Sequence, residues 1–530
     1  MMLKRFRNLA AAVAAGVVGM ASAAVAQDQP KRGGVLVFAI SAEAPHYDCH
    51  GLDTFASIHL VGAYYSTLLK FDLKKYPGVT GDLAKSWAVS PDGLTYTFKL
   101  HNNVTFHDGS KLTSADVKAT YERLRNPPTG VVSTRKATFE DIAGIETPDD
   151  ETVIFKLNAA NPAMLQHFAS PWNCVYSAEK LKADPRFPIT NVLGSGAFKL
   201  KGHVKGAYHE GVRNEKYFKP GLPYLDGIKG VFVFQSAAAV NALQGNQVQA
   251  EFRTISPADR DRLKQAMGDK MRIEESSWTL NILITFNTKK KPFDDARVRR
   301  ALSMAIDRWT ASTALSKTSV LKAVGGVIRP SAEYATPDAE LAKLPGFSKD
   351  MAKARDEAKK LLKDAGVPDL KFALLNRSIA QPYTIAGVYM VDQWRQIGVT
   401  VDHKQQETAP YTSALASNNF DVAIDFSNLF MDEPTLGLSK YISSDRAPEN
   451  RSGIIDRELD NLFDKQRRAT DPKVRAELIR AFEKRTMEQA YSVPFLWWHR
   501  IVPTNAVVRG WNMSPSHLLG MDFSEVWLAQ

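Results

Sequence analysis

The sequence predicts an α/β protein, and three observations predict it. Strand-like segments alternate with amphipathic helices along the chain, without a fixed-period repeat. No Gly/Ser- or Pro-rich linker and no low-complexity tract interrupts the alternation, so its units are expected to interweave. After residue 26, no apolar stretch approaches the roughly 20 residues a membrane-spanning helix needs.

The first 26 residues read as an export signal. Lys4, Arg5 and Arg7 form a basic start, Leu9 to Val25 an apolar run, and Ala24-Val25-Ala26 a small-residue cleavage site before Gln27. The run is rich in Ala and Gly and about 17 residues long, short for a span. Cleavage near Ala26 is expected to leave the protein free in the periplasm. A lipid anchor would need a Cys directly after the cleavage site, and the first Cys is Cys49.

Removing that segment leaves 504 of 530 residues, enough for two or three domains with substantial cores. The net charge falls from +11 to +8. The densest basic groups, Lys289-Lys290-Lys291 and Arg299-Arg300, lack the interleaved aromatics of a single-strand nucleic-acid platform and read as solvated surface. No nucleic-acid partner is expected. Cys49 and Cys174 are the only cysteines. An oxidising compartment permits one bridge between them, and two buried thiols fit the sequence equally well.

Strands are expected at Val35–Ile40 and Leu94–Leu100. In the second, Tyr96, Phe98 and Leu100 alternate with Thr95, Thr97 and Lys99, the pattern of a half-buried strand, entered by the turn Pro91-Asp92-Gly93. Thr113 with Asp116 makes a capping box for a helix through Leu124, which Pro127-Pro128 cannot continue. Asp294 can cap a helix burying Val298, Ala301, Leu302, Ala305 and Ile306. A helix from Asp350 to Ala365 carries Ala354, Ala358, Leu361, Leu362 and Ala365 on one face and stops at Gly366. Asp471-Pro472 opens another, whose spacing predicts that Val474, Leu478, Ile479 and Phe482 are buried.

Three groups of residues together carry a resemblance. The first runs Gly81-Asp82-Leu83-Ala84-Lys85-Ser86-Trp87, then Ser90-Pro91-Asp92-Gly93-Leu94-Thr95-Tyr96-Thr97-Phe98, to Phe106-His107-Asp108-Gly109. The second is Gly194-Ser195-Gly196-Ala197-Phe198 with Arg213-Asn214, Tyr217 and Pro223-Tyr224-Leu225-Asp226-Gly227-Ile228. The third is Phe286-Asn287-Thr288, Pro292-Phe293-Asp294-Asp295, Val298-Arg299-Arg300-Ala301-Leu302 and Ala305-Ile306-Asp307. In order and spacing, over roughly residues 33–505, the chain resembles the family 5 solute-binding proteins, the peptide, nickel and opine receptors of ABC importers.

The resemblance implies a two-lobed periplasmic-binding-protein fold (cluster C, type II-like) with a ligand cleft between the lobes. Residues 27–280 would form the N-terminal lobe, completed by 503–530, and residues 281–502 the C-terminal lobe. The crossings would fall near Leu280–Thr288 and Pro494–Val502. The implied partners are a small organic ligand and the permease subunits of an ABC transporter. A monomer without cofactor is expected.

By position in the family pattern, His46, Tyr47 and Asp48 would enter the cleft from the N-terminal lobe, while Trp278 and Trp498 supply rigid aromatic faces. In the C-terminal lobe the candidates are Asp425, Phe426, Ser427, Asn428 and Phe430. Peptide-binding relatives resemble this stretch but carry Gly-Trp-x-x-Asp, whose carboxylate pairs with the ligand's ammonium. Here Ser427 stands for the Trp and Phe430 for the Asp. Burying an ammonium against Phe without a counter-charge costs several kcal/mol, so a non-peptide ligand is expected. Asp425 or Asp432 could substitute only if the strand end is shifted.

Rival classes leave weaker traces. Cys49-His50 and His46 are nucleophile and base types without an oxyanion-hole signature, and Gly-x-Ser-x-Gly is missing. His209-Glu210 lacks the second His of a zinc motif, and Gly194-Ser195-Gly196 lacks the third Gly of a dinucleotide loop. No catalytic residue is therefore assigned. A metal receptor would rest on His46, Cys49 and His50, which no carboxylate or further His at ligand spacing joins.

Overall fold

The computed structural model describes residues 29–276, 280–427, 429, 431–514 and 516–529. Among them, two large sheets organise the chain. The first has seven strands in the order Met271–Glu275, Ile501–Asn505, Ala250–Glu251, Val35–Ile40, Gly227–Phe232, Tyr208–Arg213 and Phe198–Val204. The second has six, in the order Leu321–Ala323, Ser492–Trp498, Leu280–Phe286, Val422–Phe426, Lys371–Arg377 and Thr400–Gln406. The chain passes from the first sheet to the second between Glu275 and Leu280, and back between Trp498 and Ile501. The returning strand Ile501–Asn505 then pairs antiparallel with Met271–Glu275, the last strand before the outward passage.

The central strands explain themselves by composition. Leu280–Phe286, Val422–Phe426 and Ser492–Trp498 are buried at every position, as near-continuous apolar runs covered on both faces must be. Pro494 is tolerated inside one of them because the register shifts opposite it, between Asn281 and Leu283. Its carbonyl accepts from the buried Arg308 Nε at 2.8 Å.

A four-stranded antiparallel sheet, Ala84–Val89, Thr95–Leu100, Thr152–Leu157 and Ile142–Asp149, packs with the first sheet's half of the chain. Tyr96, Phe98 and Leu100 point inward as their alternation predicts, and Phe98, Tyr121, Phe155 and Phe168 form an edge-on ring cluster. The capping box of Thr113 and Asp116 starts helix Ser114–Arg125. Cys49 and Cys174 are joined in a disulfide, Cα to Cα 6.1 Å, closing a separation of 125 residues.

Two helix expectations need correction. Asp295, not Asp294, caps Ala296–Met304, because its carboxylate accepts from Arg297 N at 2.8 Å and also pairs with the Arg297 guanidinium. Helix Pro472–Gln489 leaves Val474 47% exposed. Its first turn stands clear of the core, and burial starts at Ile479 and continues through Phe482, Glu483, Thr486 and Met487.

Candidate functional site

In each large sheet, parallel strands end on the side where the two halves of the chain meet. Val35–Ile40 and Ala250–Glu251 are parallel neighbours in the first sheet, and Lys371–Arg377 and Val422–Phe426 in the second. Loops leaving the carboxyl ends of such strands are the usual place for ligand groups. Arg253 follows the first pair, Arg377 ends the second, and Thr54 caps the helix Phe55–Val61.

These residues cross between the halves in both directions. Arg253 Nη1 donates to Gln381 O at 2.6 Å, while Arg377 Nη2 donates to Thr54 Oγ1 at 3.2 Å. Both guanidiniums lie against the Phe55 ring, at 4.4 and 4.8 Å, and both face Tyr383. Trp498 adds a third ring, 5.3 Å from Arg253, and His517 packs on Trp498 at 5.3 Å. Arg253, Arg377 and Trp498 are all buried, and Trp498 Nε1 and His517 Nδ1 have no hydrogen-bond partner among the described residues.

The electrostatics of this cluster are cationic. Burial draws Arg253 down to about 10 and Arg500 down to about 9, well below the ordinary guanidinium value. The same burial pushes Glu251 up to about 7. Glu251 accepts from the backbone N–H of Arg253, not from its guanidinium. Burial, reinforced by Arg500 and Arg253, also holds His517 neutral.

Beside the cluster, Asp425 Oδ2 lies 2.9 Å from Lys440 Nζ, and Lys440 Nζ sits 5.6 Å from the Phe426 ring. Ser427 Oγ accepts from Asn281 N at 3.3 Å. Asp432 is held by Arg329 at 2.6 Å. Along one margin the halves meet through opposite charges: Arg446 and Arg467 both reach Glu140, at 2.5 and 2.9 Å, and Arg467 also reaches Asp141 at 2.9 Å. Arg451 lies 3.8 Å from Asp53.

The expected site residues are therefore distributed unevenly. Asp425, Phe426, Ser427 and Trp498 gather at the junction. His46, Tyr47 and Asp48 bond within the first half of the chain. His46 Nδ1 accepts from Asp48 N, Tyr47 OH meets His203 Nδ1 at 2.6 Å, and Asp48 pairs with Arg123 at 2.7 Å and accepts from Tyr176 OH at 3.0 Å. Trp278, Asn428 and Phe430 lie outside the described residues. Cys49 is spent in the disulfide and His50 bonds Cys174 O and Arg123, so the histidine–cysteine group has no free thiol to offer a metal. No group of three metal-ligating side chains occurs among the described residues.

Arg253, Arg377, Phe55 and Tyr383 escaped the sequence reading. The signal that could have found the two arginines is their place directly after, or at the end of, a parallel strand.

Comparisons with known proteins agree with this geometry. Residues 78–447 match the family described as bacterial extracellular solute-binding proteins, family 5 Middle. The chain is similar to an ABC transporter peptide-binding protein of Brucella ovis, 30% identical over 66% of this chain and 64% of the relative's length. It is 28% identical to di/tripeptide-binding protein 1 of Pseudomonas aeruginosa, over 82% of this chain and 83% of that one. Among solved structures it is similar to the binding protein AgaA of A. tumefaciens R10 in complex with agropinic acid, with a TM-score of 0.83 and 25% identity over 94% of this chain and 99% of that one. The expected two-lobed binding-protein fold is the fold these structures share.

Proposed function

We propose that this chain, which belongs to family 5 of the bacterial extracellular solute-binding proteins, captures a small organic solute other than a peptide between two lobes and hands it to the permease of an ABC importer. The solute enters while the lobes stand apart. Closure brings Arg253 to Gln381 and Arg377 to Thr54, and the closed surface spanning both lobes is what the permease reads. No bond-making group is required, and the chain is a receptor rather than an enzyme.

In this reading residues 27–280 with 503–530 form one lobe and 281–502 the other. Residues 1–26 act as the export signal, and the mature chain works in the periplasm as a monomer. Asp425, Phe426, Ser427 and Trp498 join Arg253, Arg377, Phe55 and Tyr383 around the solute.

The observation that carries the non-peptide reading is the pairing of Asp425 with Lys440 and of Asp432 with Arg329. Both carboxylates that could replace the missing ammonium anchor already hold a cation. A second reading, peptide capture, draws on the peptide-binding relatives and on Glu251 and Glu449. Each of these keeps one oxygen, Oε2, without a donor among the described residues.

Isothermal calorimetry of the mature chain against peptides and against sugar–amino-acid conjugates, agropinic acid among them, decides between the two. Saturable binding of conjugates but not of dipeptides is the expected result. Dipeptide binding in preference to conjugates would establish the second reading in its place.

A further inference from the structure

Resting on the receptor reading above, we infer that the captured solute is an anion, and that its carboxylate or equivalent oxyanion is held by the guanidinium of Arg253 with Arg377 beside it.

The buried arginines of this chain provide an internal contrast. Arg308 spends its guanidinium on Pro494 O, Ser303 O and Gly346 O, and Arg500 spends its own on Arg253 O, Phe252 O and Ser514 O. These are structural arginines, saturated by backbone carbonyls. Arg253 is as deeply buried yet makes one such bond, to Gln381 O, while its Nε and Nη2 find no acceptor among the described residues. Nε and one Nη are the edge of the fork that takes a carboxylate in bidentate fashion.

Neighbouring charge points the same way. No carboxylate of the described residues lies within salt-bridge distance of Arg253 or Arg377; Arg377 is held by the hydroxyls of Thr408 and Thr54. The undescribed internal residues, 277–279, 428, 430 and 515, include no acidic side chain. Arg253, Arg377 and Arg500 thus share one buried region with Glu251, whose burial favours its neutral form. A solute that brings a negative group completes the region, and the rings of Phe55, Tyr383 and Trp498 wall it from water.

The test is calorimetry of the mature chain with mannopinic acid, agropinic acid, N-acyl amino acids and dicarboxylates, each paired with its methyl ester. The expected result is that binders are acids, that esterification weakens them at least tenfold, and that Arg253→Met does the same while Arg253→Lys retains part of the affinity. Esters that bind as well as their acids would overturn the inference. A neutral or cationic solute that binds saturably would overturn it too and leave the receptor reading standing. A dipeptide anchored through Arg253 would support the anion and overturn the non-peptide reading. No saturable binder of any class would overturn both. If Arg253→Met fails to fold, as circular dichroism would show, the acid-against-ester comparison on the unaltered chain decides alone.

Discussion

Lys440 Nζ and Asp425 Oδ2 lie 2.9 Å apart, and their side chains are 4% and 1% exposed. Asp425 is the penultimate residue of the strand Val422–Phe426, and Lys440 follows the helix Pro434–Ser439, so the ion pair ties that helix to the end of the strand. Thr285 Oγ1 and the backbone N–H of Phe426 also donate to the Asp425 carboxylate, leaving it well satisfied.

Removing one member of such a pair should cost more than removing both. Lys440→Met leaves Asp425 buried without its cation and is expected to lower unfolding free energy by about 3–5 kcal/mol. Asp425→Asn with Lys440→Met should recover most of that loss. Urea unfolding of the single and double variants measures it, and equal destabilisation by both would show that the pair is not electrostatically coupled.

The disulfide between Cys49 and Cys174 closes a separation of 125 residues. It anchors a buried network in which Tyr176 OH accepts from Cys49 N and donates to Asp48, itself paired with Arg123. On a chain-entropy account, a loop of this length contributes about 5 kcal/mol by restricting the unfolded chain. Replacing both cysteines by Ser is expected to lower the melting temperature sharply. Reduction by dithiothreitol under denaturing conditions, followed by refolding, should reproduce the effect; an unchanged melting curve would contradict it.

Acid should destabilise the protein from about pH 6.5 downward. Burial lowers His50, His59 and His209 to about 3 and His107 and His167 to about 4, from an ordinary 6.5. Below 6.5 the unfolded chain takes up protons that the folded one refuses, so stability falls as pH drops toward those lowered values. Glu251 works in the opposite sense. Its carboxyl is raised from 4.5 to about 7, so the folded chain binds the proton more tightly and this group's contribution is lost as pH rises from 4.5 to 7. Denaturation at pH 8, 6.5 and 5 should show a net fall on acidification, and Glu251→Gln should gain stability relative to the parent at pH 8 more than at pH 5.

What the sequence discloses follows from how local the cause is. The capping box of Thr113 and Asp116, the alternation of Tyr96, Phe98 and Leu100, and the stop at Gly366 are settled within a few residues, and the structure contains each of them. Asp294 and Asp295 are equally good caps by composition, and only the geometry of the entering loop selects the second. Val474 lies on the right helical face but beyond the reach of the core. Arg253 and Arg377 acquire their meaning from contacts 128 and 323 residues away in sequence, which no local pattern encodes. Asp48 shows the same limit, since its buried partner Arg123 stands 75 residues away in sequence.

The charged margin between the halves should act as a latch on closure. In the pairs that cross it, the carboxylates Glu140, Asp141 and Asp53 come from the first half of the chain and the cations Arg446, Arg451, Arg467 and Arg468 from the second, whose own Asp464 also pairs with Arg446 and Arg467. Arg467 is 4% exposed and meets both Glu140 and Asp141, so opening the lobes must resolvate a buried, doubly paired guanidinium. Arg467→Met is expected to favour the open form, raising the radius of gyration seen by small-angle scattering and weakening solute affinity by about tenfold, or ~1.4 kcal/mol. Because Glu140 is partly exposed, added salt should weaken binding to the parent more than to Arg467→Met, since only the parent keeps the Arg467–Glu140 pair for salt to screen. Scattering curves that coincide for parent and variant, with unchanged affinity, would mean that the aromatic and arginine contacts at the centre hold the lobes together without help from the margin.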